Sequence, residues 1–259
     1  MKAATLAIDK ETLGRRAEAR LRSYTSSERA KINFDSLGMM RRAQRLHCAA
    51  DPWEAAKKIA LAKQRTFTEG ILGRDYSTII WFGSARAGKS FGTCLGFLSW
   101  GYRCPGAKFI VGRYEAKNLF SSTMVSMGEA LGHIFRRPDW GHIEHITPDV
   151  GRWRPSLGVL ELHDGGEYHF RHFKDASGHG STEYDGGWIE EGQEIPGEER
   201  EAGAGEERSR TPEVVTMVQS RLNRITQPRN GGEPPIPKLV ITAMGWGRNW
   251  AWEMAYGRE

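Results

Sequence analysis

The sequence predicts an α/β domain with a mainly parallel central sheet flanked by helices, and three observations carry that prediction. Gly83-Ser84-Ala85-Arg86-Ala87-Gly88-Lys89-Ser90 fits G-x-x-x-x-G-K-[ST] without a gap. It lies between a β-branched and aromatic run at 77–82 and an apolar run at 91–100 long enough for a buried helix. Next, Lys108-Phe109-Ile110-Val111-Gly112 reads as a second strand ending at Arg113, and a strand–helix–strand order makes the two strands parallel. Last, Lys238-Leu239-Val240-Ile241-Thr242-Ala243-Met244 is a continuous apolar run of the kind that parallel sheets bury on both faces.

Composition sets the frame. With 259 residues and 39% apolar content the chain can bury a full core. Its net charge of +5 is unevenly placed. Lys and Arg crowd residues 10–45 and acids crowd 190–207, which points to a polyanionic partner. Cys48, Cys94 and Cys104 are odd in number and lack CxxC spacing, so neither a disulfide framework nor a zinc site is indicated and a reducing interior fits best. No run approaches the ~18 apolar residues of a membrane span, and no signal-peptide core opens the chain, so a soluble, non-secreted protein is expected.

In chain order, residues 1–60 read as a basic helical N-terminal region. Leu13, Ala17 and Leu21 fall near helical spacing among Arg15, Arg16, Arg20 and Arg22; the pattern fits a solvated helix face as well as a contact with nucleic acid or a partner. Asp51, Pro52 and Glu54 start a helix expected to run to about Gln64, and Gly70 and Gly73 are expected to break the chain before the first strand. Met124 to Phe135 reads as a helix with Met124, Met127, Leu131 and Ile134 on one core face. Leu160–His163 and Tyr168–Phe173 flank Asp164-Gly165-Gly166 as a hairpin with a solvent-facing tip. His163, His169, His172 and His179 are expected at half-buried strand positions rather than as metal ligands, because no carboxylate or thiolate completes a familiar set. Residues 197–211 have almost no apolar content and read as a mobile loop. Pro212 to Arg224 reads as a helix carrying Arg221 and Arg224 on one face.

Two motifs carry the chemistry. In the phosphate loop, glycines let backbone N–H groups turn inward on phosphates, Lys89 reaches the β/γ oxygens, the Ser90 hydroxyl ligates Mg²⁺, and the helix N-terminus favours anions. About a hundred residues on, Trp188-Ile189-Glu190-Glu191 is a short apolar strand ending in paired carboxylates. Glu190 there can hold the Mg²⁺ shell while Glu191 polarises the attacking water. Gly186 and Gly187 replace the usual apolar residues of such a strand. Thr242, near the polar end of the last strand, is placed to sense a γ-phosphate.

In this order the pieces resemble the ATPase half of a tailed-phage terminase large subunit, a P-loop NTPase of the ASCE type. The resemblance runs from about Phe67 to the C-terminus. It rests on the loop Gly83 to Ser90, Val111-Gly112-Arg113, the hairpin, Trp188-Ile189-Glu190-Glu191-Gly192-Gln193-Glu194-Ile195, Ser220-Arg221-Leu222, and Ile241-Thr242-Ala243 followed by Trp250. It implies a motor domain over 61–259 that uses ATP and Mg²⁺ to drive double-stranded DNA into a procapsid. Lys89, Arg86 and Glu191 would be catalytic, Ser90 and Glu190 would hold Mg²⁺, and Thr242, Ala243 and Met244 would match the coupling motif. Apart from the resemblance, Arg86 could supply a charge-neutralising cation from within the loop, and Arg221 or Arg224, if their helix faces the next subunit, could supply it as an arginine finger from a neighbour. Implied partners are a homo-oligomeric ring on a portal protein, a small terminase subunit and no membrane, in a virus-infected host cytoplasm. Glu190 stands where many relatives carry Asp, Met244 where Asn or Thr is common, and Arg86 one place later than in much of the family; Gln64 is a loose candidate for the adenine-contacting glutamine. The family's nuclease half is expected to lie outside these 259 residues. A helicase-like or repair ATPase would share the nucleotide site but need further strand-contacting motifs. A nucleotide-gated assembly module with little turnover would not need the carboxylate pair.

Overall fold

The computed structural model describes residues 60–135, 137–148, 150–163, 165–174, 182–196, 211–245 and 249–256, together with Glu54 and Lys57. The basic arm, the Asp51-Pro52 helix start, Cys48, Asp164, His179 and residues 197–210 lie outside the described residues. Seven strands follow one another as β1 (Thr78–Phe82), β2 (Lys108–Arg113), β3 (Gly151–Arg154), β4 (Val159–Leu162), β5 (Glu167–His172), β6 (Gly186–Ile189) and β7 (Lys238–Ala243). They form one sheet in the order β1-β7-β6-β2-β5-β4-β3. The pairs β1–β7, β7–β6, β6–β2 and β2–β5 are parallel, whereas β5–β4 and β4–β3 are antiparallel. The expected α/β class with a mainly parallel sheet flanked by helices is the observed one, and β7 is interposed between the phosphate-loop strand and the carboxylate strand.

Helices α1 (Ala62–Leu72), α2 (Lys89–Arg103), α3 (Met124–Phe135), α4 (Glu213–Ser220) and α5 (Trp250–Tyr256) complete the described domain. None of them is long and apolar enough to cross a membrane. Strand periodicity sorts the core into two faces. Phe109, Val111, Trp188 and Val240 join Ile71, Phe97, Trp100 and Met127 on the α1–α3 side. Ile110, Ile189, Leu239 and Ile241 join Val214, Val215, Val218 and Trp250 on the α4–α5 side. The glycines of β6 make this packing possible: a Cβ on Gly186 would stand 3.0 Å from both Phe97 and Trp100, and one on Gly187 would stand 2.8 Å from Val218. Large aromatics fill the space that apolar side chains usually take there.

Four local expectations need correction. Ala60 and Leu61 are not helical and α1 starts at Ala62, so Gln64 lies in the first turn of a helix instead of at the end of one. The cause is tertiary: α1 lies so close to α2 that Ile71 packs directly over Gly96, and the Thr68 hydroxyl donates to Gly92 O. Gly70 therefore sits inside α1, and Gly73 alone caps it. At the hairpin tip the described residues Gly165 and Gly166 are buried instead of solvent-facing, and Gly165 O accepts from Gly106 N. Among the histidines, His169 is buried in β5 but His163 and His172 are exposed. Finally, α4 stops at Ser220, with Arg221 at its C-cap and Arg224 beyond it. Tyr184, ahead of β6, takes up that backbone: its N–H donates to Arg221 O at 2.9 Å and its carbonyl accepts from Arg224 N at 3.2 Å.

Candidate nucleotide site

Parallel register puts the C-terminal ends of β1, β7, β6 and β2 along one sheet edge, where ligands of open α/β sheets bind. The phosphate loop leaves β1 there, and Gly83 N donates to Ala243 O at 3.2 Å, so the loop starts against the end of β7. Residues 84–87 are exposed. Lys89 is only 4% exposed and its ammonium donates to Gly83 O and Ser84 O, both at 3.0 Å, inside the curl of the loop. Gly88 has φ 72 and its hollow side is filled by the Gln64 amide. Gln64 is bonded at both ends of its amide: Nε2 donates to Gly88 O at 3.0 Å and Oε1 accepts from Leu61 N at 2.8 Å. It braces the loop from behind rather than presenting a free amide to a base.

The carboxylates continue β6. Glu190 N donates to Gly112 O at 2.8 Å, extending the ladder by one residue. The alternation that turns Trp188 toward α2 turns Glu190 the same way. There it is 1% exposed. The Thr123 hydroxyl donates to Oε2, the Ser90 hydroxyl bears on the same carboxylate, and Arg113 Nη1 stands 3.8 Å from Oε2. Burial is the largest influence and raises the Glu190 pKa; the two hydroxyls and Arg113 oppose the rise, and Glu191 adds to it. Oε1 has no hydrogen-bond partner among the described residues. A buried carboxylate approached by a serine hydroxyl and keeping one oxygen without a hydrogen-bond partner is a hard-oxygen donor set of the kind Mg²⁺ takes together with substrate phosphates, so the residues present fit that ion.

Glu191 differs in every respect. It is half-buried with φ 50 and ψ 53, and it opens a tight turn over Gly192–Glu194. Arg86 and Glu191 are the non-glycine residues with positive φ among the described residues. Both are candidate site residues, and backbone strain of this kind, costing about 1–3 kcal/mol, gathers at functional positions. The Glu191 carboxylate accepts from Gln193 Nε2 at 2.5 Å. Arg113 meanwhile grips Glu194 with two bonds, Nε to Oε2 at 3.0 Å and Nη2 to Oε1 at 2.7 Å. Burial works against the Arg113 charge most strongly, yet the Glu194 bonds and the surrounding carboxylates outweigh it and its pKa ends above the ordinary value.

The segment 242–244, expected from sequence to act in coupling, meets the site through its backbone. Thr242 is fully buried and its hydroxyl accepts from Trp188 Nε1 at 3.1 Å, so the hydroxyl read as a phosphate sensor is committed to the core. Ala243 O holds Gly83, and Met244 N donates to Gln193 Oε1 at 2.9 Å. Of the candidate finger residues, Arg86 is exposed on the loop, whereas Arg224 pairs with Asp185 at 3.2 Å ahead of β6, away from the C-terminal strand ends.

Thr123, Gln193 and the bracing role of Gln64 escaped the sequence reading. Thr123 ends a π-helical turn over Leu119–Thr123. Such turns frequently sit at functional sites, but Leu-Phe-Ser-Ser-Thr carries no local signal for one. Gln193 was visible two residues past Glu191, without any sign of what its amide would reach.

No protein-family model matches the chain, and no curated protein matches it. Among solved structures, the HK97 bacteriophage large terminase is similar over 71% of this chain and 33% of its own, at 12% identity and a TM-score of 0.47. The likeness thus spans about a third of that terminase, and at this score it carries no assignment.

Proposed function

We propose that residues 61–259 form an ATP-hydrolysing motor domain of the terminase large-subunit type, which moves double-stranded DNA into a procapsid as part of a ring on a portal, together with a small subunit. The observation that carries the ATPase reading is the meeting of the phosphate loop with Glu190, a buried carboxylate on which the Ser90 hydroxyl bears. Lys89, already inside the loop, binds the β- and γ-phosphates. Ser90 and Glu190 hold Mg²⁺, which when bound supplies positive charge to the phosphate oxygens. Glu191 accepts the proton of the attacking water. Charge left on the transferring phosphoryl group falls to Arg86, exposed and positioned on the loop itself, with Arg221 and Arg224 as candidates in trans. The packaging reading rests on the order of motifs in the sequence.

The test is MgATP turnover by the purified chain with and without linear double-stranded DNA. Turnover that rises with DNA, without strand separation and with DNA affinity falling steeply in salt, supports a backbone-tracking motor. Strand separation would favour the helicase-like reading, and nucleotide binding without turnover the assembly module. Mixing Glu191→Gln chains with Arg221→Ala or Arg224→Ala chains tests the finger: recovered turnover supports a residue acting in trans, whereas no recovery, with Arg86→Ala inactive even beside wild-type neighbours, favours Arg86.

A further inference from the structure

We infer that Gln193 is a positioning residue that holds the Glu191 carboxylate and ties it to the end of β7 through the Met244 backbone N–H. The inference rests on reading Glu191 as the group that activates water. Its basis is one side-chain amide used at both ends: Nε2 donates to Glu191 Oε2 at 2.5 Å and Oε1 accepts from Met244 N at 2.9 Å. Neither end can be exchanged. Turning the amide over would set its oxygen against a carboxylate and its NH₂ against a peptide N–H, so the two partners fix its orientation between them.

The surroundings leave Gln193 as the adjustable part. The turn carrying Glu191 is clamped by Glu194 N donating to Glu191 O at 2.8 Å, and by Trp250 Nε1 donating to Gly192 O at 3.1 Å and Ile195 O at 3.0 Å. With the backbone held at φ 50, what remains free at Glu191 is its side-chain rotation, and the Gln193 bond removes that. The other end of the amide reaches the strand whose previous residue, Ala243, holds Gly83 of the phosphate loop. A displacement of the loop therefore reaches the Glu191 carboxylate by a path of three hydrogen bonds through β7, without involving the Thr242 hydroxyl. That gives Met244 a role that its side chain need not serve, since only its backbone N–H is used.

The test compares Gln193→Met, which keeps the length and loses both bonds, with Gln193→Glu, which keeps an acceptor for Met244 N–H but sets two carboxylates against each other. Three readouts are taken on the full chain: kcat for MgATP, nucleotide affinity, and hydrogen exchange at the Met244 amide. Both variants are expected to lose about 10- to 100-fold in kcat, the usual effect of misplacing a reacting group through its support, with nucleotide affinity within about threefold of wild type. Met244 exchange should speed up by about tenfold in Gln193→Met, as for the loss of one hydrogen bond, and stay near wild type in Gln193→Glu. A Gln193→Met chain that folds and keeps kcat within about twofold of wild type would overturn the positioning role. If wild type itself turns over no ATP, the reading of the site fails on its own account, and exchange still decides the link: faster in Gln193→Met sustains it, unchanged overturns it.

Discussion

The end of β6 and the turn that follows it hold two glutamates side by side in sequence, in settings that share almost nothing. Glu190 has extended, ladder-bonded backbone, is sealed against α2 and is approached by two hydroxyls and a guanidinium. Glu191 has left-handed backbone, is half-buried and is held by a single amide. A carboxylate that burial discourages from ionising becomes favourable when a cation arrives to neutralise it. A carboxylate kept within reach of solvent by a strained turn can exchange a proton with water. The difference teaches that strand alternation, by sending one residue into the core face and ending the strand at the next, gives neighbouring carboxylates separate environments, and the proposed division of metal holding from proton transfer rests on that separation.

The strongest way to break this division is Glu190→Gln. MgATP turnover should fall about 10²- to 10⁴-fold, the several kcal/mol that a well-held metal contributes. The metal-free protein should meanwhile become more stable at neutral pH. The sign follows from the raised pKa: between 4.5 and the folded value the native state binds more protons than the unfolded one, so wild type loses stability as pH rises through that window. Denaturant melts of the metal-free protein against pH should show that loss in wild type and not in the variant.

Arg113→Met sharpens the contrast next, since it strips one guanidinium from both Glu194 and Glu190. Breaking a largely buried pair leaves charge uncompensated, and about 3 kcal/mol of stability should be lost in a chemical melt. Thr123→Val keeps the shape of the side chain and removes one donor from a buried carboxylate, so about 1.5–3 kcal/mol should go. If Thr123→Val melts like wild type, Glu190 does not depend on the π-helical turn.

The smallest effect concerns another buried charge of the parallel half. Lys238 is fully buried at the start of β7, where its ammonium donates to Gly70 O at 2.9 Å and Gly73 O at 2.7 Å at the end of α1. Burial brings its pKa down from 10.5 to about 8. Between those values the unfolded chain binds more protons, so this group makes stability rise with pH, opposite in sign to Glu190. Cys104, raised from 9.0 to about 11 by burial, works the other way above pH 9. The Lys238 slope should therefore show in wild type mainly from about pH 8 to 9, and Lys238→Met should remove it.

What sequence made legible follows from how far each signal reaches along the chain. The phosphate loop, β1, β2, α3 and β7 were readable because contiguous residues decide them: a gapless glycine motif, β-branched runs, and apolar spacing at 124, 127 and 131. The boundaries of α1 and α4 were not, since α1 is set by Ile71 packing on Gly96 and α4 is ended by the backbone of Tyr184. In the candidate site, Lys89, Ser90, Glu190 and Glu191 were readable as candidates because their motifs are contiguous, whereas the residues that hold them come from elsewhere. Thr123 reaches Glu190 across 67 residues and Gln193 reaches Met244 across 51. Thr242 was misjudged for the same reason, because its partner is the indole of Trp188 on the neighbouring strand.

The most direct test of the division between the two glutamates is Glu191→Gln, measured for MgATP binding and turnover in the same preparation, with Lys89→Ala as the control that loses binding. Glu191→Gln should bind MgATP with affinity close to wild type and lose turnover about 10²- to 10⁴-fold, the contribution of a positioned general base. Turnover near the wild-type rate, with binding intact, would contradict the assignment of water activation to Glu191.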